Sequence, residues 1–588
     1  VRRLLRRFQG LFRRRWLPVF YDPHFRLPLS GIEAAAGFDP RRADFAAWWL
    51  RSSTLGPRCF RTPRRATFEE LARVHTPEHL ETLSRPESLA AIFAVDPSDV
   101  PADELLDTIR LATGATIEAA RLALRIRRPV LSLLGGFHHA GPASAGGFCA
   151  VNDVAVALAA VRSFGFRGRT AILDLDAHPP DGIAACLASD PRVWIGSISG
   201  SDWGPLPGVD ETVLPEGTGD EAYLVALNAL LRRMPRRSLA FVLAGGDVLA
   251  GDRMGKLALT LAGARKRDLA VAEALAGTAS VWLPAGGYQR DAWRVLAGTG
   301  MALAAGSKRA IPASYDPLSE RYAQVMRELT PSELGESGEI TAAEIEEALG
   351  LRPAGPRLLL GFYTASGVEA GLHRLGLLDT LKRLGFRDCR VLIDTTGLGD
   401  RLRVMAHAAG QEWLLVEAIL ERRRIRGVEI LFIHWLSLRN PVARFSERRP
   451  QLPGQEVPGL GLAREAGTLL SHIAIRLGLS GVAFRPSHYH LAYTARHDFE
   501  FVDPARQGRF EAMVRDLGSM PLLEATHAVA DGRVLLNGLP YTWEADEMAI
   551  WLRDVPLDDE DRLRERLSCA FTVLPARRAP PAGPPVTP

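Results

Sequence analysis

The sequence predicts an α/β protein: a parallel sheet covered by helices on both faces, followed by a second α/β (α+β) unit. Two observations carry this. From about Leu17 to Pro312, short apolar runs alternate with segments of helical periodicity. Strand, helix, strand in repetition builds a parallel sheet buried on both faces. The length of 588 residues then leaves room for a further unit with its own core.

Residues 1–16 read as a basic leader. Arg2, Arg3, Arg6, Arg7, Arg13, Arg14 and Arg15 surround Leu4, Leu5, Phe8, Leu11 and Phe12, whose spacing suits one helical face. The leader lacks the apolar core of a secretory signal. Peripheral contact with an anionic membrane surface and a frayed leader outside the fold both stay open. Residues 17–312 form the first domain, with strands expected at Val130–Leu134, Thr170–Leu175, Val193–Ile198, Leu239–Ala244 and Ser280–Pro284. Helices are expected between them, as at Leu105–Ile126 and Asp220–Arg233. Residues 313–356 are punctuated by Pro317, Pro331, Pro353 and Pro356 and read as a helical linker, with a short polar helix at Thr341–Leu349. The second domain, 357–553, opens on a strand-like Leu358–Tyr363 and a helix from about Gly367 to Leu384. Strands follow at Gln411–Arg422 and Val428–Trp435, then a helix at Leu462–Leu477 and a strand at Val482–Arg485. Residues 554–588 end in a tail rich in proline and alanine, expected to be disordered.

Composition is that of an ordinary globular chain, 47% apolar and 24% charged, with a net charge of +4. So small a charge argues against direct nucleic-acid binding. Cys59, Cys149, Cys186, Cys389 and Cys569 are scattered and form no CxxC pair. That pattern excludes a disulfide framework and points to a reducing cytoplasm. No apolar stretch is long and charge-free enough to cross a bilayer, so a soluble protein is expected.

Five pieces of the chain, each after an apolar run, carry the chemistry: Gly135–Ala140, Asp174–His178, Gly246-Asp247 with Gly251–Arg253, Gly286–Tyr288, and Gly217–Asp220 between them. Asp176 and His178 lie two residues apart at a strand end and are expected on one side of it. With Asp247 from another strand end they make a set of two carboxylates and one imidazole. Zn²⁺ takes such ligands, and three of them leave a position for water and substrate. Adjacent His138 and His139 follow a Gly-Gly turn and suit a general base and acid beside an activated water. Each needs a carboxylate on its far nitrogen, for which Asp174 and Asp181 are the candidates. Tyr288, presented by Gly286 and Gly287, is placed to donate its phenol to a developing oxyanion.

In order along the chain, GGFHHA, GGFCAVND, DLDAH, GTGDEAYL, AGGDVLAGDRMG and AGGYQR closely resemble the zinc-dependent histone deacetylases and their bacterial relatives. The likeness covers about half of the chain. Phe20-Tyr-Asp-Pro23, Gly31-Ile-Glu33, Phe38-Asp39 and the run DRMGKLALTLAGARKRD look most like the class IV branch. The resemblance implies an arginase/deacetylase-like sheet and one Zn²⁺ per chain on Asp176, His178 and Asp247. It makes His139 the general base and acid, His138 its electrostatic partner and Tyr288 the carbonyl polariser. Asp174 would orient His138, and Asp181 would orient His139. Asp174 with Ser197 would hold K⁺. Gly147 and Phe148, with Gly286 and Gly287, would wall an acyl-lysine channel, with Met254 near its mouth. The loop Ser199–Pro207, with Trp203, is expected to shape the entrance. The family has His-Gly or Gln-Gly where this chain has Pro179-Pro180 before Asp181, which puts the pairing of His139 with Asp181 in question. The family's His-Pro-Glu stretch near the start is also missing.

The second domain is similar in element order to Gcn5-type acyl-CoA-dependent N-acyltransferases. Gly459 and Gly461 open a helix, a turn that could take a pyrophosphate, although the spacing of Gln455 from the turn departs from that family's pattern. His488-Tyr489-His490 with Tyr493 fits no metal motif. The leading expectation is hydrolysis of the amide of an N-acylated lysine protein or a small acylated amine of the acetylpolyamine type. A two-metal ureohydrolase, and a bifunctional deacylase whose second domain binds acyl-CoA, are the alternatives.

Overall fold

The computed structural model describes residues 16–306, 310–334, 358–447, 449–553, 555 and 559–575. The leader through Arg15, the helix expected at Thr341–Leu349 and the tail from Ala576 lie outside the described residues. The chain divides into two compact units at Arg321/Tyr322, with Thr380–Gly385 grouped with the first.

The first unit is built on eight strands: β1 (Val19–Phe20), β2 (Phe60–Arg61), β3 (Pro129–Ser132), β4 (Thr170–Asp174), β5 (Val193–Ser199), β6 (Val209–Val213), β7 (Leu239–Leu243) and β8 (Ala279–Leu283). They form one sheet in the order β2-β1-β3-β8-β7-β4-β5-β6, parallel throughout. Every residue of β4, β7 and β8 is buried. Alternate side chains of a strand point to opposite faces, so both faces of the sheet are covered. The five strands expected from apolar runs are all present. Those not foreseen are β1, β2 and β6, two of them a residue pair and the third the polar edge segment VDETV.

The long helix Ala102–Ile126 shows how sequence sets an element here. Pro101 precedes it, Asp103 and Glu104 sit in its first turn, and Arg127 ends it in the left-handed region at φ 50°. Acidic residues suit the positive end of the helix dipole. Its Gly114 is needed for close approach, because a Cβ there would stand 1.9 Å from the Arg64 carbonyl oxygen.

Consecutive strands β3 and β4 are separated in the sheet by β8 and β7. The chain therefore reverses its direction of travel across the sheet, which opens a crevice at the carboxyl ends of the strands. The four central neighbours, β3, β8, β7 and β4, are the ones that precede the loops of His138, Tyr288, Asp247 and Asp176.

The second unit holds a seven-stranded sheet of β9 (Arg387–Thr396), β10 (Gly399–Ala408), β11 (Gln411–Ile425), β12 (Val428–Leu438), β13 (Gly481–Phe484), β14 (Glu500–Phe501) and β17 (Met548–Trp551). Its order is β14-β17-β13-β12-β11-β10-β9. A small sheet of β15 (Val534–Leu536), β16 (Leu539–Pro540) and β18 (Phe571–Val573) accompanies it. Two tight hairpins turn at Ala409-Gly410 and Arg426-Gly427, all four residues having φ between 51° and 79°, as two-residue hairpin loops demand. β12 and β13 are parallel, joined through the helix Ala463–Arg476.

Two expectations for this unit are corrected. Leu358–Tyr363 is no strand; Leu359 and Tyr363 form a single bridge across a turn. The expected helix Gly367–Leu384 is two helices, Ala365–Arg374 and Leu377–Arg383, parted at Gly376 with φ 75°. In the described part of the proposed linker, Pro317–Glu328 and Pro331–Leu334 are helical. Leu329 and Leu334 lie in a core with Leu359, Leu420, Leu431 and Val482.

Gly114→Ala should force the long helix away from the Arg64–Ala66 backbone, a cost of about 1–3 kcal/mol. Gly56 has nothing within 4 Å and φ −76°, so Gly56→Ala should change stability by less than about 0.5 kcal/mol. Urea unfolding of both variants, followed by circular dichroism, should show a lowered midpoint only in the first.

Candidate metal centre and catalytic groups

Asp174 is the last residue of β4, and beyond it the chain makes two short side-chain-capped turns. The Asp174 carboxylate accepts from the Asp176 N–H at 3.1 Å, and the Asp176 carboxylate accepts from the His178 N–H at 3.1 Å. Asp residues favour such turns because their carboxylates reach the backbone two residues on. This replaces the strand alternation expected for Asp176 and His178. The two side chains converge because the loop is turned, not because the strand continues.

Asp247 comes from the loop after β7. One ligand atom each of Asp176, His178 and Asp247 can be chosen so that all lie within 4.8 Å of one another. His178 Nδ1 is 3.0 Å from a carboxylate oxygen of Asp176 and 3.0 Å from one of Asp247. Its Nε2 lies 3.2 Å from the Met254 carbonyl. A carbonyl only accepts, so Nε2 carries a hydrogen, and Nδ1 is the nitrogen that would face a cation held between the two carboxylates. Both carboxylates are completely buried. Burial, then the charge of Asp176, pushes the Asp247 carboxyl up to about 8. Burial opposes a charge on His178, but the two carboxylates outweigh it and lift its pKa to about 11. The pocket therefore calls for positive charge. An N/O donor set of this kind fits a divalent cation such as Zn²⁺.

The two adjacent histidines are tied to different carboxylates. His138 Nδ1 lies 3.0 Å from Asp174, and its Nε2 lies 3.6 Å from Asp176. His139 Nδ1 lies 2.6 Å from Asp181, in spite of Pro179-Pro180. Burial opposes a charge on His138, yet Asp174 and Asp176 outweigh it and raise its pKa to about 9. Burial and the charge on His138 push His139 below its ordinary value, against the pull of Asp181. The pair is thus pushed in opposite directions, His138 toward its protonated form and His139 away from it, which suits a base beside a more basic neighbour.

Tyr288 follows the Gly286-Gly287 turn after β8. Its N–H donates to Asp252 at 2.7 Å, and the Gly286 N–H donates to Asp176 at 2.7 Å. Burial, then Asp176 and Asp247, holds the phenol well above its ordinary pKa, so it stays a donor. Gly147 has φ 54°, and a Cβ there would stand 2.4 Å from the His139 ring. Phe148, itself at φ 65°, lies 5.2 Å from the Tyr288 ring. Trp203 is half-exposed and stacks on His139 at 5.3 Å. Met254 is exposed. Asp174 pairs with Ser197 across β4 and β5, and the buried Ser197 hydroxyl has no hydrogen-bond partner, which leaves it available to a cation.

Two carboxylates to which the motif reading assigns no role also shape the site. Asp153, in GGFCAVND, is buried and accepts from the Gly136 and Phe137 N–H groups just before His138. Asp252 accepts from Met254, Gly255 and Tyr288. Each stands inside a recognised motif, which is the signal that could have singled it out. In the second unit, Gly459 pairs with Arg439 and Gly461 has φ 72°, one residue before Leu462 leads into the helix Ala463–Arg476. Among the described residues no helix is long and apolar enough to cross a membrane.

Comparison with known proteins places these residues in a family context. The model of the histone deacetylase domain matches residues 37–302. An uncharacterized protein of Picosynechococcus is 35% identical over 31% of this chain and 62% of its own length. Histone deacetylase 2 of Arabidopsis thaliana is 29% identical over 47% of this chain and 76% of its own. A probable deacetylase of Archaeoglobus fulgidus is 30% identical over 38% of this chain and 68% of its own. The chain thus spans between about three-fifths and three-quarters of these relatives.

The full chain should bind one divalent cation, and Asp176→Ala should abolish that binding without loss of circular dichroism. Metal analysis after dialysis against chelator-treated buffer gives the count; a variant that keeps full stoichiometry would remove Asp176 from the ligand set.

Proposed function

Because the chain belongs to the histone deacetylase family, we propose that its first unit is a zinc-dependent hydrolase of the amide bond in an N-acylated lysine or a related acylated amine. The observation that carries this reading is the division of labour at the strand ends. Three ligand side chains converge, and beside them two imidazoles are each held by their own carboxylate.

Asp176, His178 and Asp247 would hold Zn²⁺, which when bound polarises the amide carbonyl and acidifies a water. His139 donates its Nδ1–H to Asp181, so its Nε2 is the atom that takes a proton from the attacking water. The same nitrogen then delivers that proton to the leaving amine. His138, cationic beside Asp174, keeps positive charge next to the base and disfavours a second proton on it at rest. Tyr288 donates its phenol hydrogen to the oxyanion as the carbonyl becomes tetrahedral. Gly147 lets the channel wall close on His139, and Phe148 and Trp203 supply aromatic sides for an alkyl chain.

A cavity lined by Leu27, Ile32, Phe38, Phe93, Leu134 and Phe148 reaches His138, Gly286 and Tyr288. Its apolar lining supports an acyl group as the part of the substrate bound there. It speaks against a ureohydrolase, as does the single cluster of metal-ligating side chains among the described residues. Ser197 and Asp174 would hold K⁺ behind the catalytic pair. The scatter of the cysteines, with no CxxC pair, fits a reducing cytoplasm.

For the second unit, the parallel pair β12–β13 joined through a helix supports an acyltransferase-like fold, with acyl-CoA near Gly459 and Gly461. Reversal of acylation by one chain would follow from that pairing. Titration of the full chain with acetyl-CoA tests it; no heat of binding would reject it.

Loss of one oxyanion donor costs about 10²–10³-fold in rate. Tyr288→Phe should therefore lose that much kcat on an acetyl-lysine peptide or an acetylpolyamine while keeping its metal and its fold. Activity within tenfold of the parent chain on either substrate would contradict the role of the phenol.

A further inference from the structure

Arg267 is a completely buried guanidinium that the chemistry above does not use. It projects from the helix Leu261–Ala274, within the run DRMGKLALTLAGARKRD. Its Nη1 donates to two carbonyl oxygens, Leu175 at 3.2 Å and Gly245 at 2.8 Å. Leu175 immediately precedes Asp176, and Gly245 stands two residues before Asp247. The two loops meet at this point, since a Cβ on Gly245 would lie 2.8 Å from the Asp176 Cα and 2.6 Å from an Asp247 carboxylate oxygen.

The guanidinium is itself fixed. Its Nε donates to Asp268 at 2.9 Å, and Asp268, also buried, accepts from the Thr299 hydroxyl at 2.6 Å. The helix that carries it is anchored at its start, where Asp220 accepts from the Thr260 N–H at 2.8 Å and from the Thr260 hydroxyl at 2.7 Å. The fully buried Tyr223 phenol, one turn after Asp220, interacts electrostatically with the same guanidinium without a hydrogen bond of good geometry. Two sequence motifs that touch no reacting atom, GTGDEAYL and the RKRD stretch, thereby converge on the back of the metal centre.

A buried arginine without such a task is costly, because removing a charge from water is offset only by well-made partners. Its rigid fork is suited to holding several acceptors at once, as an ammonium is not. We propose that Arg267 is a positioning residue for the metal centre: it ties the loop of Asp176 and His178 to the loop of Asp247, and Asp268 and Thr299 hold it in place. This rests on the reading that those three side chains bind a divalent cation.

The test uses the full chain and Zn²⁺ or Co²⁺ alone. Zn²⁺ affinity is measured by competition with a chromophoric chelator, and ligand geometry by the visible spectrum of the Co²⁺ form. Removing groups that orient metal ligands typically weakens binding about 10–100-fold. Arg267→Met should weaken Zn²⁺ binding by that factor. Arg267→Lys, which keeps the charge but not the fork, should weaken it less and still alter the Co²⁺ spectrum. Gly114→Ala, which loosens packing at another helix, should leave both unchanged. Should Arg267→Met fail to fold, Arg267→Lys decides alone. Zn²⁺ affinity within twofold of the parent chain, with an unaltered Co²⁺ spectrum, would overturn the proposal. A parent chain that binds neither metal would instead overturn the ligand assignment beneath it.

Discussion

Two carboxyl groups crowded together in the dry interior govern the design of the first unit. Asp176 and Asp247 are both fully buried and both reach the same imidazole nitrogen at 3.0 Å. Coulomb repulsion between such neighbours, unscreened by water, is severe. The protein offsets part of it with backbone donors: Gly286 N–H to Asp176, Ala177 N–H to Asp247 and His178 N–H to Asp176. Those donors can be in place only if the loops after β4, β7 and β8 meet. The strand order provides this, since β8, β7 and β4 are consecutive neighbours in a sheet whose strands all run the same way. A cation bound by these groups would complete what the backbone begins.

Much of this is legible in the sequence, for identifiable reasons. The central strands are buried on both faces and so appear as unbroken apolar runs, and each ends in a loop whose chemistry is local in sequence. His138-His139, Asp174-Leu-Asp176-Ala-His178 and Gly286-Gly-Tyr288 each announce themselves within a few residues. What stayed hidden depends on distant pieces. Strands β1 and β2 are two residues long and exist only through pairing with β3 and with each other. Which nitrogen of His178 faces the carboxylates depends on a carbonyl 76 residues away, at Met254. The divided helix at Gly376 could have been read from its glycine, whereas the turn at Leu359–Tyr363 could not, because an apolar run so short does not distinguish a strand from a buried turn.

Glycines near the site show a second constraint, that the backbone itself is part of the wall. A Cβ on Gly286 would lie 2.6 Å from an Asp176 oxygen, and one on Gly182 would lie 2.3 Å from the His139 carbonyl carbon. The loops are packed against one another with no side chain between, which leaves the candidate ligands little freedom to drift. The same economy explains why Phe148 tolerates a positive φ. Its N–H is held by the Ile92 carbonyl at 3.1 Å, and its ring is lodged between Phe93 and Tyr288. Strain at a non-glycine residue persists only where its surroundings over-determine it.

The proline pair between His178 and Asp181 fits this picture better than it fits a defect. Proline fixes its own φ and narrows the choices of the residue before it. Here the two prolines separate a metal-ligand candidate from the carboxylate that pairs with the His139 ring. Asp181 then begins the helix Asp181–Leu187, with its N–H bonded to the Pro179 carbonyl at 3.0 Å. At the first position of a helix a carboxylate is favoured in its charged form. Two stiff residues followed by a helix start therefore achieve what a more flexible loop would have to achieve by contacts elsewhere. They hold Asp181 at 2.6 Å from His139, and the donor side of the imidazole is settled before any substrate arrives.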